Sequence, residues 1–173
     1  HDTVRRQRQM CIRDRGTFQH SLQVANLCEK VAGTIGGNAT LLRTAAMYHD
    51  VGKMSAPQFF IENQLPDNNP HDDLEPTESA QIIVNHVKKG IDLCLNANLP
   101  MDVIQFIQTH HGTSTVRFFL KKAQEDAKSQ EVTVNESLFS YPGPTPKTKE
   151  QAILMMADSC LLYTSPSPRD RVQ

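Results

Sequence analysis

The sequence contains no tryptophan, and only 6% of its 173 residues are aromatic. Its four cysteines are widely and irregularly spaced, which fits neither a zinc knuckle nor a disulfide framework and indicates free thiols in a reducing compartment. No apolar run reaches the ~18 residues of a membrane span, and no apolar stretch follows the basic N-terminus as in a signal peptide. The formal net charge is -1, so no overall basic field indicates a nucleic-acid polymer as partner.

What is present is the composition of an ordinary globular domain, with 38% hydrophobic and 21% charged residues. The two ends differ from the middle. Residues 1–15 are basic without apolar periodicity, residues 160–173 are rich in Ser and Pro, and both resemble translated sequencing-adaptor runs found at the ends of environmental gene fragments. We therefore expect non-native or disordered tails at 1–15 and 160–173, around a domain of residues 16–159 that is truncated on both sides.

Apolar residues in the middle of the chain recur at three- and four-residue spacings, which predicts amphipathic helices. Gly36 indicates a helix end and Pro100 a helix start, while Thr148 followed by Gln151 is typical of a capping box. No strand pattern rises above noise, so the predicted fold class is all-α with long loops. The predicted helices cover residues 17–35, 39–50, 77–98, 101–111, 115–128 and 149–159, and the predicted loops cover 54–76 and 129–147.

Seven ionisable side chains lie on the inner faces or at the ends of five of these predicted helices. Taken singly, each is more readily explained as a structural residue, for example as a cationic side chain near a helix C-terminus. Taken together, so many polar groups beside apolar stretches are costly unless they are paired or bind metal. The candidate metal ligands are His20, His49, Asp50, His86, His110, His111 and Asp158.

This number of ligands exceeds what one metal with an open position needs, but it suits two metals that share a carboxylate. Asp50 is the natural bridge, because His49 beside it fixes its position. Imidazole and carboxylate ligands suit iron, manganese or zinc. Two divalent ions with two carboxylates would form a cationic site, which would attract phosphate oxygens and lower the pKa of a bridging water.

These residues also carry a family resemblance. His20, the His49-Asp50 doublet in "YHDVGK" and the distant Asp158 resemble the signature of the HD-domain metal-dependent phosphohydrolases. Longer stretches, including "GTFQHSLQVANL", "NPHDDLEPTESA", "IQTHHGT" and "FSYPGPTPKTKEQAILMMADS", resemble the intracellular HD domain of PgpH-type proteins over essentially all of 16–159. These are bacterial proteins with seven membrane spans, known as phosphodiesterases that hydrolyse cyclic di-AMP to pApA.

The resemblance implies an HD-domain helical bundle around a binuclear site that holds two divalent metal ions, iron or manganese. By motif, one metal would take His20, His49, Asp50 and Asp158, and the other would take Asp50, His86, His110 and His111. Asp50 and Lys53 would be catalytic, with Lys53 meeting a phosphate oxygen. The resemblance further implies a cyclic dinucleotide substrate and a membrane-embedded parent protein, with this soluble fragment at the cytoplasmic face of the cell membrane. It leaves the oligomeric state open.

Two alternative functions stay open at this point. One is an HD phosphohydrolase acting on cyclic di-GMP, ppGpp or a nucleoside monophosphate, although no Gly-Tyr-Pro segment follows His110-His111 as in the cyclic di-GMP enzymes. The other is a non-catalytic nucleotide-sensing module, which a missing ligand would indicate, and none is missing. His71 is a further candidate for substrate binding, but a solvated loop histidine explains it equally well.

Overall fold

The computed structural model describes residues 15–64, 68–128 and 133–164, with side chains as far as residue 161. Within these ranges the chain forms no strand, so the all-α prediction is confirmed; an isolated antiparallel bridge joins Thr115 and Ser140. The described α-helices are α1 Arg15–Ile35, α2 Ala39–Tyr48, α3 Pro76–Asn96, α4 Met101–Thr109, α5 Arg117–Lys128 and α6 Lys149–Thr164. Short 3-10 helices cover Val51–Ser55, Pro57–Phe59, Ile61–Asn63 and Glu136–Phe139.

The helix starts follow local chemistry that is visible in the sequence. Asn38 caps α2, because its side-chain oxygen accepts the backbone N–H of Leu41 at 3.0 Å. Thr148 Oγ1 likewise accepts the N–H of Gln151 at 3.2 Å, as the capping box predicts. The Gln151 side chain differs from that motif, since it accepts the N–H of Lys147 at 2.8 Å rather than that of the cap residue.

Two stretches differ from the predicted boundaries. Helix α6 continues to Thr164, beyond the predicted helix end at residue 159, and Leu161 still packs against the core there. The predicted loop 54–76 contains two of the 3-10 helices and the end of a third, and its residue Asn63 contacts the start of α1. Residues 1–14 and 165–173 lie outside the described residues, so the predictions of tails there stay predictions. Residues 65–67 and 129–132, which belong to the two predicted loops, also lie outside the described residues.

The core lies between helices that carry the candidate ligands. Val24 from α1, Leu42 from α2 and Leu154 from α6 are fully buried in one cluster. A second cluster joins Val51, just after α2, to Ile107 of α4 and to α3. These packings hold the ligand-bearing segments of α1, α2, α3, α4 and α6 around one point. None of the described helices is long and apolar enough to cross a membrane.

The 3-10 turn after α2 lies directly against the backbone of α3. A Cβ atom on Gly52 would stand 1.8 Å from the carbonyl oxygen of His86 and 2.5 Å from the amide nitrogen of Gly90. Only glycine permits such an approach. This contact brings the end of α2, which carries His49 and Asp50, against the turn of α3 that carries His86.

Candidate metal centre

The structure brings all seven predicted ligands together in two groups that share one carboxylate. Within each group, one ligand atom per residue lies within 4.8 Å of all the others. All the side chains are buried except that of His111, which is partly exposed. The first group is His20, His49, Asp50 and Asp158, and the second group is Asp50, His86, His110 and His111.

The shared carboxylate of Asp50 turns one oxygen towards each group. Oδ2 lies 3.2 Å from Nε2 of His49 and 3.9 Å from Nε2 of His20. Oδ1 lies 3.3 Å from Nε2 of His86 and 3.7 Å from Nε2 of His110. Asp158 completes the first group, with Oδ1 2.8 Å from Nε2 of His20. A carboxylate held in this way can bind two cations at once, one through each oxygen.

The helix backbone aims three of the imidazole rings. Nδ1 of His49, His86 and His110 lies 2.7, 2.6 and 2.8 Å, respectively, from the carbonyl oxygen three residues earlier. A carbonyl oxygen can only accept a hydrogen bond, so Nδ1 is the donor in each case and Nε2 faces the cluster. Metal-binding histidines are oriented by the same kind of hydrogen bond.

Several buried atoms of the cluster lack the partners that burial demands. Nε2 of His49 and both carboxylate oxygens of Asp50 make no contact with hydrogen-bond geometry, although Oδ2 forms an ion pair with Lys53 at 2.8 Å. Nε2 of His86 and Nε2 of His110 lie 3.2 Å apart although both rings already donate through Nδ1. In neutral rings, two lone pairs would then face each other, an arrangement that a cation between them would stabilise. The residues therefore fit a site for metal ions.

Burial and charge set the protonation of the cluster without metal. Burial by itself would raise the pKa of Asp50, but His49 and Lys53 hold it well below its usual value. Burial opposes the charged form of His49, yet the charges and hydrogen bonds of Asp50 and Asp158 together outweigh it and raise the pKa of His49 to about 10. Burial lowers the pKa of His110 and of His111, so both rings are neutral at pH 7 and can offer lone pairs to a metal.

The raised pKa of His49 predicts a pH-dependent stability of the metal-free chain. A group with a raised folded pKa stabilises fully below its unfolded pKa, here 6.5, and loses that contribution as pH rises through about 10. In chelator, we expect the free energy of unfolding in urea to fall by a few kcal/mol between pH 6.5 and 10. With saturating manganese the fall should shrink or reverse, because metal binding needs neutral His49. A flat profile in chelator would contradict this assignment.

Lys53 is buried beside the first group and is already engaged. Its Nζ lies 2.8 Å from Oδ2 of Asp50 and 2.8 Å from Oε1 of Glu62, and 5.1 Å from the centroid of the Phe60 ring. Burial opposes its charge, but Asp50 and Glu62 raise the pKa of Lys53. Sequence analysis missed Glu62, because no periodic signal indicates that the 3-10 helices would fold this carboxylate back onto Lys53.

His71 is the predicted site residue that the structure does not bring into the cluster. Its ring lies between Phe59 and Phe119, with centroid distances of 5.1 and 4.8 Å, and its Nε2 is 2.8 Å from the Phe59 carbonyl oxygen. A solvated loop histidine is also wrong, since only 6% of His71 is exposed. Substrate binding by His71 stays a prediction. Tyr141 contacts the cluster, since its ring stacks on the ring of His111 with their centroids 4.2 Å apart.

The comparisons with known proteins agree with this geometry. The family model described as "HD domain" matches residues 17–162. The chain belongs to the HD-domain family. The match begins within α1 and ends within α6, so it includes all seven clustered residues.

Within the HD-domain family, the chain is similar to the HD domains of PgpH proteins. The chain is 44% identical over 144 residues to the "Cyclic-di-AMP phosphodiesterase PgpH" of Bacillus subtilis (strain 168), which covers 83% of the chain and 20% of that protein. The crystal structure of the L. monocytogenes phosphodiesterase PgpH HD domain aligns with a TM-score of 0.85 at 38% identity, over 94% of this chain and 76% of that one. The same domain in complex with cyclic-di-AMP aligns with a TM-score of 0.86 at 38% identity, over 92% of this chain and 74% of that one. The chain thus spans about a fifth of the length of the curated relatives.

Proposed function

We propose that this domain is a metal-dependent phosphodiesterase that hydrolyses cyclic di-AMP to pApA. The observation that carries the proposal is the shared carboxylate of Asp50, which turns one oxygen to each of two complete ligand groups. The 38% identity of this chain to an HD domain solved with cyclic-di-AMP supports the choice of substrate. By the same resemblance, we propose that the parent protein is membrane-embedded and presents this domain at the cytoplasmic face.

The chain's own residues would hold two divalent ions, iron or manganese, in the two groups that share Asp50. When bound, such ions supply Lewis acidity towards phosphate and lower the pKa of water. His110 and His111, being neutral, offer lone pairs rather than competing positive charge. Lys53 stands at the Oδ2 side of Asp50, where its ammonium can offset charge on a phosphate oxygen.

A product assay tests the proposal. The purified chain, loaded with manganese, is incubated separately with cyclic di-AMP, cyclic di-GMP and ppGpp, and products are separated by chromatography. We expect pApA from cyclic di-AMP, with much slower turnover of the others and no turnover in chelator. Cleavage of only ppGpp or cyclic di-GMP would support another HD phosphohydrolase. Tight binding of cyclic di-AMP without cleavage would support a sensing module.

A further inference from the structure

Glu62 stands next to the cluster without belonging to either ligand group. Its Oε1 is 2.8 Å from Nζ of Lys53 and accepts a hydrogen bond from Thr17 Oγ1 at 3.2 Å. The Lys53 ammonium is therefore shared between two carboxylates, Glu62 and Asp50, at equal distances. One of these carboxylates is the proposed metal bridge, and the other is not.

The ammonium sits on one side of that bridge. It contacts Oδ2 of Asp50, the oxygen turned towards His20 and His49, rather than Oδ1, which is turned towards His86 and His110. In the metal-free chain it thus supplies positive charge where a divalent ion of the first group would bind. An ion there would repel the ammonium strongly, because both cations would lie within a few ångströms in a buried site.

Glu62 can remain the ion-pair partner of the Lys53 ammonium after the contact with Asp50 is lost. Because Nζ already lies 2.8 Å from Oε1, Lys53 can lose its contact with Asp50 and keep its contact with Glu62. Phe60 adds a neutral contact, with Nζ 5.1 Å from its ring centroid, that a nearby metal ion does not compete for. The Lys53 charge therefore keeps a partner in either state of the site.

Glu62 is itself fixed by the start of α1. The side-chain oxygen of the neighbouring Asn63 accepts hydrogen bonds from the backbone N–H groups of Gly16 and Thr17 at 3.0 and 3.3 Å. The side-chain nitrogen of Asn63 donates to Thr17 Oγ1 at 2.7 Å. This caps the helix from 46 residues away in the chain. The dipole of that helix end also favours a carboxylate. The same helix carries His20, so Glu62 and a first-group ligand are held in one frame.

We propose that Glu62 is a positioning residue that takes over the Lys53 ammonium when a divalent ion binds at the Oδ2 side of Asp50. Glu62 thereby makes metal binding in the first group possible without ejecting Lys53, and keeps Lys53 beside the site for phosphate. The inference rests on the proposed function only in requiring that the cluster bind divalent ions.

A double-mutant cycle in metal affinity tests this role. Manganese is titrated calorimetrically into the metal-free full chain as wild type, Glu62→Gln, Lys53→Met and the double variant. Glu62→Gln keeps the length and the acceptor oxygen of the side chain but removes its charge. We expect Glu62→Gln to lower the affinity for one of the two manganese ions about tenfold or more. In the Lys53→Met background, the same change should lower that affinity less than about threefold. Lys53→Met alone should tighten the same ion.

The controls separate this coupling from simpler effects. If Glu62 acted only through its negative charge or its contact with Thr17, Glu62→Gln would lower the manganese affinity equally with Lys53 and with Met at position 53. Such additivity would overturn the inference. Glu29→Gln, which removes an exposed carboxylate of α1 that pairs with Arg43 of α2, should leave both affinities unchanged. Circular dichroism checks folding, and Lys53→Gln replaces Lys53→Met if the latter unfolds.

The outcome separates this inference from the proposed function. Nonadditive manganese affinities without cleavage of cyclic di-AMP would refute the function and support the role of Glu62. Additive affinities, or a chain that binds no manganese, would refute the role of Glu62 whatever the activity.

Discussion

Asp50→Asn should abolish turnover and prevent both metal ions from binding, whereas Asp158→Asn should prevent only one. The difference follows from the geometry, since Asp50 faces both ligand groups and Asp158 belongs to the first alone. Losing both ions removes several kcal/mol of transition-state stabilisation, a rate loss of about a thousandfold or more. Elemental analysis after manganese loading and desalting measures the ions bound per chain, and the cyclic di-AMP assay measures turnover.

The matched control is Asp92→Asn, which changes an exposed aspartate on α3 and should leave metal content and turnover unchanged. Asp50→Asn also removes the counter-charge of His49 and Lys53, so the metal-free variant should be less stable by several kcal/mol. Unfolding in urea with chelator measures that effect separately from metal loading. An Asp50→Asn chain that still binds two ions, or that turns over at the wild-type rate, would disprove the bridging role.

Much of the fold could be predicted from sequence because the signals are local. The capping side chains of Asn38 and Thr148 set helix starts, and apolar residues such as Val24 and Leu154 mark inner faces. The end of α6 was predicted too early, at residue 159 rather than Thr164. The compositional change at residue 160 suggested a boundary there, but Leu161 continues the apolar face that packs on the core. The packing of Leu161, rather than the composition of the segment, therefore determines where α6 continues.

The division of the seven polar residues into two ligand groups could be predicted only through the family resemblance. Periodicity places each one on an inner face or at a helix end, but it does not say which helix ends meet. Glu62 shows the limit most clearly, since its position depends on three successive 3-10 helices and on the Asn63 cap of α1. Its contact with Lys53 spans only nine residues, yet no helical or strand period leads to it. His71 shows the converse, because a polar loop residue proved to be buried between two phenylalanine rings.

Gly52→Ala should disrupt the site without touching a ligand. The added Cβ would lie 1.8 Å from the His86 carbonyl oxygen, so the turn after α2 and the backbone of α3 must separate. Backbone cannot give way as a flexible side chain does, and an overpacked contact of this kind costs about 1–3 kcal/mol or more. Separation would also pull His86 away from Oδ1 of Asp50, now 3.3 Å distant, and weaken the second group.

We expect the Gly52→Ala chain to be less stable in urea and to retain at most one ion after manganese loading and desalting. Gly33→Ala is the matched control, because a Cβ there meets nothing within 4 Å and the residue lies inside α1. That change should leave metal content unaltered and stabilise the chain by up to about 1 kcal/mol through helix propensity. If Gly52→Ala bound two ions with wild-type stability, the glycine of "YHDVGK" would not be what seats α2 against α3. If it lost both ions while remaining folded, the displacement would have reached Asp50 itself.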